Sequence, residues 1–128
     1  IRYRSEQDED RYEDPDYVGT VARVNAGNYD LAVEVHYDWD QAPRGGVGCY
    51  VSDSGLRLAK LVAARYKKEG YKTRPNTKRP GLFFLNGTDC PALLWECDRV
   101  GKDISHTRAR SYGRRIGLGI LDFYGVKA

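Results

Sequence analysis

Segments with strand periodicity alternate along this chain with segments of helical periodicity, and that alternation predicts a layered α/β domain. Two observations carry most of the weight. Asp30 to Tyr37 (DLAVEVHY) alternates with period two and is rich in valine, as a strand requires. Leu56, Ala59, Leu61, Val62 and Tyr66 recur at three and four residues, as one face of a helix requires. The length of 128 residues suits a single domain spanning 1–128.

The acidic segment Glu6 to Asp16 reads as an exposed loop, and Ile1 to Arg4 as the end of a strand. A helix is expected from Pro15, with Asp14 as its cap and Val18, Val21 and Ala22 on one face, stopping at Gly27 and Asn28. In the strand that follows, Leu31, Val33 and Val35 point to one side, and Ala32, Glu34 and His36 to the other. APRGG makes a loop, and Val47 to Val51 a second strand. Ser52 to Ser54 offers a cap for the next helix, which Gly70 ends. Tyr71 to Gly81 is expected to be a polar, basic loop, and Leu82 to Leu85 a short strand. Ala92 to Asp98 (ALLWECD) is a buried strand after Pro91. Ala109, Tyr112, Ile116, Ile120 and Tyr124 mark a last helix, whose Gly113, Gly117 and Gly119 are expected to let it approach a sheet closely.

Hydrophobic residues make up 41% and charged residues 30% of the chain, too apolar a composition for disorder. No apolar run approaches the roughly 18 residues of a membrane span, so none is expected. The chain begins at Ile1 and contains no Met, which suggests a fragment or processed product. Cys49, Cys90 and Cys97 are too few and too irregular for a disulfide framework, and are expected to be free and mostly buried. The net charge of +3 is unevenly distributed, with basic stretches at Lys67 to Arg79 and Arg108 to Arg115. Such stretches suit a nucleic acid or an anionic cell wall. Aromatic residues are not interleaved with them as in a single-strand binding platform, so no nucleic-acid partner is expected.

An ionisable residue at the end of an apolar strand needs a reason, because an unpartnered buried charge is costly. Glu96 follows Ala92 to Trp95 and shares a face with Leu94. From the residue alone, an ion pair with an arginine explains it as well as a catalytic carboxylate does. His36 near a strand end is by itself more commonly a satisfied polar residue than a metal ligand. Ligands in α/β folds gather at the carboxyl ends of strands. If the two strands are parallel, His36 and Glu96 meet at one edge of the sheet.

The order of these segments resembles the zinc-dependent N-acetylmuramoyl-L-alanine amidases, the family of autolysins and phage endolysins. Arg23, Asn25 and YDLAVEVHYD look like the family segment in which an Arg and an Asn precede a strand ending in a zinc ligand. GVGCYV (46–51), SGLRLAKLVAARYKKEG (54–70) and CPALLWECDRVGKD (90–103) resemble the next strand, the next helix and the closing strand that carries the catalytic Glu. Arg4 with Asp8 or Asp10 looks like a further family segment.

The resemblance implies a mixed, mainly parallel sheet flanked by helices, a phosphorylase/hydrolase-like amidase domain lacking its first elements. It implies a peptidoglycan hydrolase that cuts between N-acetylmuramic acid and L-alanine, with His36 as a zinc ligand and Glu96 as the general base. The remaining zinc ligands are expected upstream of Ile1. Asp38, Trp39 and Gly46 are candidates for substrate contact, and Gly45, Gly46 and Gly48 for leaving room beside the site. Glu34 is read as a carboxylate that orients the imidazole, and His106 as a surface residue. The expected setting is the cell wall or the extracellular space, or a phage product released at lysis. The expected partner is peptidoglycan and the expected state a monomer. The alternative is a non-catalytic amidase-like module that binds the wall or serves structure.

Overall fold

A computed structural model describes residues 15–101 and 103–127 of the chain, with side chains from residue 19 onward. The expectations for Ile1 to Asp14, including the Arg4–Asp8/Asp10 segment and the Asp14 cap, lie outside the described residues. The elements in order are α1 (Pro15–Ala26), β1 (Ala32–Asp38), β2 (Val47–Tyr50), α2 (Asp53–Lys68), β3 (Thr77–Lys78), α3 (Phe83–Gly87), β4 (Ala92–Arg99) and α4 (His106–Phe123).

The sheet has the order β1-β4-β2-β3. β1 and β4 are parallel, β2 and β3 are parallel, and β2 runs antiparallel to β4. Helices cover both faces. α2 and α4 pack on the side of Leu93, Trp95 and Cys97, where Leu58, Val62, Tyr66, Tyr112 and Ile116 complete the larger core. α1 and α3 contribute Val21, Phe84 and Leu85 to the other face, against Ala32, Cys49, Ala92 and Leu94. β4 is central and buried on both sides, which explains its almost unbroken apolar run.

Local signals set most of the boundaries. The Ser52 hydroxyl caps α2 by accepting from the Gly55 amide at 3.0 Å. Asp53 lies in the first turn of that helix and Arg65, Lys67 and Lys68 in the last, the arrangement a helix dipole favours. Gly70 then adopts φ +86°, the left-handed conformation that ends a helix.

Leu82 to Leu85 is not a strand. Phe83–Gly87 forms a single helical turn. Phe84 and Leu85 are adjacent and both buried, which a period-two strand lying on a core cannot achieve. The Thr88 hydroxyl and amide both bond the Phe84 carbonyl, and Asn86 bonds that of Leu82, which closes the turn. An apolar run this short has no period of its own.

The expected loop Tyr71 to Gly81 carries a strand, β3, whose polar side chains hide it. It is tied to β2 by Cys49↔Thr77 pairing and by the Gly48 amide donating to the Asn76 side chain at 3.0 Å. The glycines of α4 also act differently from the expectation. A Cβ at Gly119 would lie 2.6 Å from Cγ2 of Val62, so the close approach is to α2 rather than to the sheet, while Gly113 and Gly117 face open space. All three cysteines are free, Cys49 and Cys97 buried and Cys90 partly so.

Candidate active site

The parallel pairing of β1 and β4 sets Ala32 opposite Ala92, Glu34 opposite Leu94, and His36 opposite Glu96. These residues share one face of the sheet. Its lower part is apolar and covered by α1 and α3; toward the carboxyl ends of the strands it becomes polar. Val47 of β2 is paired to Glu96 from the other side. The imidazole Nε2 of His36 stands 3.9 Å from a Glu34 carboxylate oxygen, and the two side chains are 19% and 10% exposed. That distance fits an ion pair when the imidazole is protonated but exceeds a hydrogen bond.

Beyond His36 the register slips before Asp38, which pairs with Arg99. Asp38 accepts from its neighbour Trp39's amide at 3.0 Å and from Arg74 Nη2 at 2.9 Å. Arg74 also donates to the Gly45 carbonyl at 3.3 Å. Trp39 projects into solvent, 62% exposed. The sequence had shown no sign of Arg74: it lies among other basic residues of an irregular segment, and only the pairing of that segment with β2 brings it here.

The glycines of the 45–48 segment do not leave room for a polymer. A Cβ on Gly46 would meet the Trp95 indole at 2.6 Å and the Tyr66 ring at 2.8 Å, and one on Gly48 would meet Ala59 at 2.7 Å. The core fills the space these residues leave, and Gly46 lies buried, bridged to Thr73 beside β2.

Cys49 lies on the same face as Glu96. Burial raises its thiol pKa, and the charges of Glu96 and Asp38 add to the rise against Arg79 and Arg74. Burial likewise pushes the Cys97 thiol up to about 12. Both therefore stay protonated at neutral pH and make poor nucleophiles.

Asp98, two residues after Glu96 on β4, pairs with Arg44. Asp98 is 3% exposed. It accepts from Arg44 Nη2 at 2.7 Å and Nε at 3.3 Å, from the Tyr112 hydroxyl at 2.7 Å, and from the amides of Arg99 and Gly45 at 2.8 and 3.2 Å. Burial alone would raise its pKa, but these bonds outweigh burial and hold the carboxyl well below the ordinary range. Asn25, singled out from the sequence, bridges α1 to the segment before β4: its side chain donates to the Gly87 carbonyl and accepts from the Asp89 amide, each at 2.8 Å. His106 is exposed at the start of α4.

Among the described residues no group of three or more His, Cys, Asp or Glu side chains is arranged to hold a metal ion. A catalytic zinc takes three protein ligands and one open position. His36 with Glu34 does not make that set.

The fold and this face define an α/β domain with an imidazole and a carboxylate side by side at the ends of parallel strands. The chain belongs to the N-acetylmuramoyl-L-alanine amidase family, whose model matches residues 2–121. Among solved structures it is similar to the amidase AmiC2 of Nostoc punctiforme, with 24% identity, a TM-score of 0.74, and coverage of 84% of this chain and 64% of that one. It is also similar to the CwlD amidase of Clostridioides difficile, solved with the GerS lipoprotein, at 16% identity and a TM-score of 0.77, covering 98% and 71% of the two chains. The catalytic domain of the CD27L endolysin, which targets the same species, matches at 22% identity and a TM-score of 0.73, with 87% and 63% covered. The chain thus spans 64% and 63% of the length of two of these relatives. No curated protein sequence matches it significantly.

Proposed function

We propose that this chain forms the catalytic-carboxylate half of a peptidoglycan hydrolase that cleaves the amide between N-acetylmuramic acid and L-alanine of the stem peptide. The observation that carries the reading is the pairing of His36 with Glu96 across two parallel strands. Glu96 takes a proton from the attacking water and returns it to the leaving amine of alanine, since one carboxylate serves both steps of an amide hydrolysis. Glu34, on the His36 face, steadies the imidazole through its charge. Asp38, held by Arg74, and the exposed Trp39 flank the same end of the sheet and contact the substrate beside the scissile bond. The activity is zinc-dependent, with His36 as one ligand. The described residues do not complete a ligand set. The enzyme works on the cell wall, either from outside the cell or after release at lysis.

Glu96→Ala is expected to abolish wall lysis while the fold survives. Turbidity loss of a wall suspension and circular dichroism check the two halves of that statement. Normal lysis by a folded variant overturns the assignment.

The lack of a complete ligand set among the described residues motivates a second reading, a non-catalytic module that keeps the amidase fold for wall attachment. Metal analysis together with lysis separates the two readings. Stoichiometric zinc with amide cleavage supports the hydrolase. Wall binding with neither metal nor cleavage supports the module.

A further inference from the structure

The two basic stretches of the sequence, 67–79 and 108–115, meet on the α2/α4 side of the sheet. At that end of the helix pair, Glu69 bonds Arg115 at 2.7 Å and Tyr71 bonds Ser111 at 2.6 Å. A cleft of about 280 Å³ opens there, and Arg44, Lys72, Arg108, Tyr71, Tyr112 and Asp98 line it. Cys97 also lines it, which puts it on the face of β4 opposite Glu96.

Three cations, Arg44, Arg108 and Lys72, line the cleft with Asp98, and Asp103 lies against Arg44 at its edge. Arg44 and Asp98 neutralise each other, and Arg44 also pairs with Asp103. Arg108 shares Asp98 with Arg44 at the outer limit of an ion pair, and Lys72 has no counter-charge among the described residues. Arg108 Nε donates to the Tyr112 hydroxyl at 2.6 Å, and its guanidinium lies 5.5 and 5.6 Å from the Tyr71 and Tyr112 ring centres. Its Nη2 is 4.0 Å from Asp98, beyond a hydrogen bond, and the side chain is 40% exposed. The guanidinium is thus held by one nitrogen, and the side chain lines the cleft. Lys72 is exposed and makes no ion pair with a described residue. A fixed guanidinium fork beside an ammonium suits a planar or tetrahedral oxyanion.

We propose that this cleft binds a single oxyanion, a phosphodiester or carboxylate group carried by an acidic polymer of the cell wall, with Arg108 and Lys72 as its charge partners. The choice of a wall polymer rests on the amidase reading; the oxyanion site itself does not. A nucleic acid fits the cleft less well. Tyr66 stacks on Tyr112 at 5.4 Å, and Tyr71 sits edge-on to both, so the rings are engaged with one another and offer no platform to a base.

The test is a titration of the full chain, followed by amide chemical shifts, with inorganic phosphate, acetate, poly(glycerol phosphate) and duplex DNA. The proposal expects saturable shifts confined to residues 70–72 and 108–112. Phosphate saturating alone assigns a phosphodiester, and acetate saturating alone a carboxylate. Arg108→Gln is expected to weaken the binding about tenfold or more. Lys72→Gln, which breaks no ion pair with a described residue, is expected to weaken it roughly threefold, and it decides the matter should Arg108→Gln disturb Tyr112. Arg114→Gln removes the same charge from the exposed side of α4, outside the lining, and is expected to change nothing. Shifts that never saturate, or equal weakening by Arg114→Gln, overturn the site in favour of a diffuse positive field. Tighter binding of DNA than of the polymer overturns the wall assignment. Wall lysis is read separately: a protein that lyses walls but binds no oxyanion counts against this inference alone, and a lytic Glu96→Ala protein counts against the amidase reading alone.

Discussion

Glu96 and Asp98 stand two residues apart on β4, yet the fold holds them in different ways. Asp98 is enclosed at 3% exposure and takes bonds from Arg44, Tyr112 and two backbone amides. Glu96 stands opposite His36 on the other face, at the polar end of an apolar sheet, beside the buried thiol of Cys49. A carboxylate ringed by donors is locked in its charged form and holds neighbouring segments together. Glu96 is set beside the strand of His36, where the proposed hydrolysis needs its proton carrier. The separation is produced by the register slip between His36 and Asp38, which lets the end of β4 turn Asp98 toward α4.

That contrast is broken most directly at Glu96. Replacing it by Gln should lower wall lysis by roughly 10²–10⁴-fold, the usual contribution of a positioned base, with little change in thermal midpoint. A loss of stability as large as that of an Asp98 variant would erase the distinction. Asp98→Asn comes next. It removes the charge that Arg44 and Tyr112 are built around, and should cost about 3 kcal/mol in urea unfolding. A cost below about 1 kcal/mol would mean the cluster is incidental.

The same carboxylate sharpens the contrast through pH. Its folded pKa lies below the unfolded value of about 3.9, so its stabilisation is complete above that value and is lost as pH falls through the folded pKa. Acid unfolding curves should therefore flatten in Asp98→Asn. An unchanged acid limb would assign the slope to other groups.

Smaller effects come from the glycines of α4. Gly119→Ala drives a Cβ against Val62 and should cost about 1–3 kcal/mol. Gly117→Ala enters open space on the same helix and should gain about 0.5–1 kcal/mol. Equal effects of the two would contradict the tight α2–α4 contact.

Much of the fold was legible in the sequence because local chemistry carried it. The valine alternation of β1, the serine cap and the Gly70 stop of α2, and the apolar run of β4 each match an element. The short segments were not legible. Phe83 to Gly87 is too brief to show a period, and β3 has only exposed polar side chains, so its pairing depends on the neighbouring strand and on Asn76.

By itself, then, the sequence determined the α/β alternation and put His36 and Glu96 toward the ends of their strands, because periodicity and capping are properties of neighbouring residues. The tertiary structure alone decided that those strands run parallel with His36 opposite Glu96. It also decided that Asp98, two residues beyond Glu96, is the carboxylate that Arg44 and Tyr112 enclose, and that two distant basic stretches meet over one cleft. These depend on strand register and helix packing between segments far apart in the sequence, and no local pattern encodes contacts at that separation.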